Sequence, residues 1–158
     1  RNLHPRRPEV SLVGMMVSAE NVEGDFTPLP EQRGHWVFEG SGVADGSTRV
    51  VRGLLGYEVD RSFLGDSLYG PRSPAGLGIL ARSWVKPRKH EPVPTETTVY
   101  TAPCGAIVFA AGTMQWSWGL DDWGAPGNHP VRSHRDIQMI TKNVLERFLH
   151  GAERAPDP

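Results

Sequence analysis

A single cysteine, Cys104, stands among the 158 residues, which excludes an intramolecular disulfide framework and a cysteine-rich zinc module. Long apolar runs are missing too. No stretch approaches the roughly 18 residues that a membrane span requires, and no signal-peptide pattern opens the chain. A surplus of either charge is also absent: 17 Lys and Arg face 18 Asp and Glu, for a formal net charge of −1. That balance excludes a generally basic nucleic-acid binder and an acidic solvating tail. The expected setting is reducing and aqueous, the cytoplasm, with neither nucleic acid nor membrane as partner. Hydrophobic residues make up 38% of the chain, below the usual range of roughly 45–50%.

What the chain does have is turn formers, with 18 glycines and 14 prolines. The sequence therefore reads as a loop-rich piece of something longer, with a modest core of its own. Residues 1–9 form an extended linker, 10–150 a single α/β domain or its C-terminal part, and 151–158 a tail. Strands are expected at Val10–Val17, His35–Glu39, Val50–Val59, Leu77–Val85, Thr95–Thr101 and Ala106–Ala111. Residues 18–33, 60–76 and 112–132 read as loops. One helix is expected over 134–149, from Ile137, Ile140, Val144, Leu145, Phe148 and Leu149 at helical spacing, with Ser133 as N-cap and Gly151 as stop. The fold class is thus α/β, a mixed sheet with few helices. About six strands and one helix leave a face needing cover from elsewhere. The Trp116–Trp123 loop and the Ala106–Ala111 strand are the expected surfaces to meet that cover.

Few residues carry a chemical signal. Cys104 lies in a Pro-Cys-Gly turn with no helix after it, so it reads as an inert thiol. His129 and His134 are separated by Pro130 and a helix start, which spoils a metal-binding face, and no metal site is expected within the chain. The basic cluster Lys86–His90 reads as a solvated edge, and no Gly-rich phosphate loop is present. Glu58, in Gly56-Tyr57-Glu58-Val59-Asp60-Arg61, ends an apolar strand, with Tyr57 and Val59 expected on one face and Glu58 on the other. It can serve as an acid–base carboxylate facing a cleft, or as half of an ion pair. His35 and Trp36, and Trp116, Trp118 and Asp121 of the Trp-rich loop, are candidates for a pocket wall or an interface.

Four stretches together carry a family resemblance: HWVFEGSG (35–42), LLGYEVDR (54–61), GAIVFAAGTMQWSWGLDDW (105–123) and HRDIQMITKNVLERFL (134–149). In this order, across about residues 10–150, they resemble the C-terminal region of N,N-dimethylformamidase large (β) subunits. The resemblance implies a class I glutamine amidotransferase-like (flavodoxin-like) domain. It further implies a hydrolase cleaving the C–N bond of small amides, with iron held by tyrosines and a glutamate upstream of this chain. Glu58 then looks like the family's active-site carboxylate near the iron. The partners implied are the upstream part of the large subunit or a partner subunit, in an oligomer, and the chain alone would be inactive. The alternative is a non-catalytic amidotransferase-like module for assembly or binding of a sugar-like ligand.

Overall fold

The computed structural model describes residues 8–123 and 133–151. Among them are five strands in two small antiparallel sheets, accompanied by few helices, so the chain is α/β in content. The first sheet pairs β1 (Met16–Phe26) with β2 (Val51–Arg61). The second has the order β3-β4-β5, built from Gly78–Val85, Val93–Thr101 and Ile107–Ala110. Bridges from Pro28 to Ala81 and from Val59 to Thr113 tie the two together. The single mixed sheet expected from the sequence is therefore replaced by two antiparallel ones.

Four of the expected strands form close to their expected bounds, because each is a run rich in apolar or β-branched residues, and Gly or Pro flanks the last three of them. Two do not. Val10–Val17 splits into a one-turn helix, α1 (Val10–Val13), and the start of β1, with Gly14 at φ +79° closing the turn. The expected loop 18–33 is mostly β1. Its buried residues, Ala19, Val22 and Phe26, are three and four apart, not two, because the pairing register shifts three times along the ladder. Bulges of this kind erase the period-two signature. His35–Glu39 is not a strand but a 3-10 turn over Trp36–Phe38. His35 Nδ1 accepts the Val37 N–H at 3.3 Å, and both Val37 and Phe38 are buried.

β4 is buried on both faces from Thr95 to Tyr100, which makes it the central strand of its sheet. The core gathers Phe26, Phe38, Leu54, Val59, Leu80 and Val85 with Ile137 and Ile140 of the long helix α3 (Arg135–Gly151). A further one-turn helix, α2 (Gly42–Asp45), docks on α3 through the Gly42 N–H, which donates to Asp136 Oδ1 at 2.8 Å. α3 packs mainly on the Trp36–Phe38 turn, with smaller contacts to β5 and to residues 114–119. Ser133 is not its cap. That residue donates its N–H to Asp122, whereas His134 Nδ1 accepts the Asp136 N–H at 3.3 Å. Among the described residues no helix is long and apolar enough to cross a membrane. The expected linker over 1–9 lies mostly, and the tail almost wholly, outside the described residues, as does His129.

Candidate active site

The Gly56–Arg61 end of β2 is built into the molecule from both edges. On one side Ser18 Oγ donates to the Val59 carbonyl at 3.1 Å. On the other, the start of the Trp-rich segment zips along the strand: the Gly56 N–H donates to Thr113 Oγ1 at 3.0 Å and the Asp60 N–H to the Gly112 carbonyl at 3.0 Å. Thr113 Oγ1 also accepts the Gln115 N–H at 3.2 Å, starting the 3-10 turn Met114–Gly119. Two glycines make this seam possible. A Cβ on Gly56 would lie 2.4 Å from Gln115 Oε1, and one on Gly112 only 1.8 Å from the Glu96 carbonyl oxygen. Two motifs far apart in sequence, GYEVDR and GTMQWSW, thus meet along one line.

Within that line the backbone departs from regular strand. Tyr57 has φ +58° and Asn21, near it on β1, φ +53°, both in the left-handed region that glycine ordinarily fills. The register shift between Glu20 and Val22 falls at the same place. Alternation breaks here: Val59 is fully buried, whereas Tyr57 is 58% exposed, so the two do not share a face as their spacing suggested. Tyr57 lines a groove of about 490 Å³ together with Asn21, Lys86 and Arg88.

Glu58 is half-buried and sits directly across the ladder from Glu20. Like charges placed so repel. Asp60, two residues on, is also partly buried. Burial first, then the charges of Glu58 and Glu9, push its carboxyl above the usual range. The end of β2 is accordingly a compact acidic edge in which Asp60 keeps its proton to higher pH than an ordinary aspartate. Among the described residues no group of three His, Cys, Asp or Glu side chains is arranged to hold a metal ion.

The other expected site residues lie elsewhere. His35, half-buried, stacks at 5.3 Å on Trp36, and burial lowers its pKa. Trp36 lines a cavity of about 260 Å³ against α3, where the Arg147 guanidinium sits 5.5 Å from its ring centre. Trp116 is a packing pillar. Its ring meets Phe26 and Phe109 edge-on at 5.5 and 5.8 Å, and its Nε1–H donates to Thr141 Oγ1 at 3.0 Å. Trp118 packs against the same core. Asp121 is exposed and accepts the Trp123 N–H, while the Trp123 side chain is 94% exposed. The seam joins the start of the Trp-rich segment to β2 on either side of Glu58, whereas Trp36 lines the separate cavity by α3 with His35 stacked beside it.

Sequence reasoning missed Asp60 and the ion pair between Arg82 and Glu96. The signal for the second was available, since a lone Glu in the β-branched run Thr95–Thr101 requires a partner once that strand is central. No curated protein matches the chain. A family model described as N,N-dimethylformamidase beta subunit-like, C-terminal, matches residues 1–132, a span that holds both halves of the seam and stops short of α3. With most of its length covered by that match, the chain belongs to the N,N-dimethylformamidase beta subunit-like C-terminal family.

Proposed function

We propose that this chain is the C-terminal segment of a cytoplasmic amide hydrolase, in which Glu58 orients and deprotonates the water that attacks a small amide. The observation that carries the reading is the position of Glu58. It lies in the family-matched span, on a stretch of β2 pinned at both edges, beside a carboxyl with a raised pKa. Such pinning holds a side chain in place for chemistry. Glu58 accepts a proton from water as the water oxygen attacks the carbonyl carbon, and passes that proton to the amine nitrogen as it departs. The C–N bond breaks, leaving a carboxylate and an amine.

In this reading, iron and its tyrosine and glutamate ligands belong to the polypeptide upstream, and so do the parallel βα units of an amidotransferase-like domain. An interface with that upstream part or with a partner subunit in an oligomer is supported by apolar side chains left in solvent. These include Trp123 at 94% and, on the outer face of α3, Leu149 at 73%. The test is a screen of the purified full-length polypeptide against small N-alkylated amides, following amine release, with metal content measured on the same sample. Hydrolysis of at least one such amide is expected. A polypeptide that releases no amine from any of them contradicts the proposal and favours the non-catalytic assembly module.

A further inference from the structure

A second groove, of about 500 Å³, opens between the segment after β2 and the outer face of the β3–β4 hairpin. Its lining includes Arg61, Phe63, Arg82, Trp84, Pro94 and Glu96. The volume falls in the range of small-molecule sites. We propose that this groove binds a small organic carboxylate with a flat apolar body, its carboxylate on the guanidinium of Arg82 and its body on Trp84 and Pro94.

Glu96, at the floor of the groove, is 5% exposed. Its Oε2 accepts the Ser62 N–H at 2.8 Å and its Oε1 accepts Arg82 Nε–H at 2.7 Å. Both carboxylate oxygens are therefore committed, and Arg82 is held at the one nitrogen nearest its stem. The two Nη groups have no hydrogen-bond partner among the described residues, and the Arg82 side chain is 43% exposed. A guanidinium fixed at Nε and open at its Nη pair matches the two oxygens of a carboxylate.

The other charges in the groove have neighbours of their own. The Arg61 guanidinium lies 4.1 Å from the Phe63 ring centre. Asp66 Oδ1 accepts the N–H groups of Leu68 and Tyr69 at 2.8 Å each, and these bonds, ahead of the Arg61 charge, hold its pKa down. Arg82 is thus the guanidinium of the groove that an ion pair fixes with its Nη pair left open, and with Glu96 and Asp66 also lining the groove a monoanion suits it better than a phosphate dianion.

The apolar half of the site follows from strand register. Arg82 pairs with Glu96 and Trp84 with Pro94, with no shift between them. Arg82 and Trp84 thus share one face of β3, roughly 7 Å apart along the strand. Trp84 is 66% exposed, a large flat ring beside Pro94 that no described residue covers. The inference does not depend on the hydrolase reading or on Glu58.

Benzoate is the probe, titrated into the full-length polypeptide by calorimetry and tryptophan fluorescence, with benzamide and acetate alongside. Saturable benzoate binding is expected, about tenfold tighter than benzamide, which lacks the charge, and also tighter than acetate, which lacks the ring. Arg82→Lys keeps a cation beside Glu96 but not the fork, and should weaken benzoate binding about tenfold. Trp84→Ala alters an exposed position, so the fold is retained; it should weaken benzoate toward acetate and leave acetate unchanged. Equal affinity for benzoate and benzamide overturns the proposal. So does benzoate binding left unchanged by Trp84→Ala, whether or not the Arg82 variant folds.

Discussion

Asp60 shows how one residue can report on its surroundings. Its carboxyl is pushed up by burial and by the neighbouring charges of Glu58 and Glu9. The folded state therefore holds this proton more tightly than the unfolded chain does. By linkage, the stability associated with the protonated form is full below the unfolded value near 3.9 and is lost as pH rises through the raised folded value. Asp60→Asn removes that loss. In the full-length polypeptide, melting curves between about pH 4 and 7 should show the variant gaining relative to the parent as pH rises. A constant difference across the range would show that Asp60 titrates as an ordinary surface aspartate. Tyr57 was harder to read from sequence. A tyrosine gives no sign that its backbone will be left-handed, since the cause is the bulge that it shares with Asn21 on another strand.

At the scale of elements, legibility followed the evenness of the signal. β2, β3 and β4 were readable because their residues form apolar or β-branched runs, the last two flanked by Gly or Pro, and α3 because its apolar spacing is regular. β1 was not, since three register shifts move its buried residues off alternation. Nor was the turn at Trp36–Phe38, where a half-buried histidine caps three residues of which two are core. The candidate site was legible as Glu58 alone. Its company comes from the seam of β2 with Gly112 and Thr113, which joins positions more than 50 residues apart. Gly112 is the pivot of that seam, with φ +74° and a Cβ position blocked by the Glu96 carbonyl. Gly112→Ala should destabilise the fold by about 2 kcal/mol or more, from a backbone clash added to left-handed strain. Denaturant titration measures this. A loss below about 0.5 kcal/mol would mean that the seam yields without cost.

For the whole molecule, the distribution of apolar surface decides what the chain does by itself. α3 buries Ile137, Ile140 and Val144, whereas Leu145, Phe148 and Leu149 are 55%, 46% and 73% exposed. Surface of this kind marks an interaction site. The sequence-based expectation put the contact surface on the Trp loop and the Ala106–Ala111 strand. The structure buries much of Trp116 and Trp118, leaves Trp123 of that loop in solvent and Ile107–Ala110 half-buried, and adds the end of α3 as exposed apolar surface. Expressed alone, the chain should bind a hydrophobic dye, and joining it to the upstream polypeptide should suppress the signal. Equal dye binding in both forms would place this face in solvent in the assembled protein as well. The role of Glu58 is measured by turnover of a small amide in the full-length Glu58→Gln variant, compared with the parent at matched melting temperature and metal content. A fall in kcat of about 10²–10⁴-fold is expected with the fold and the metal retained; a kcat within about twofold of the parent would remove Glu58 from the chemistry.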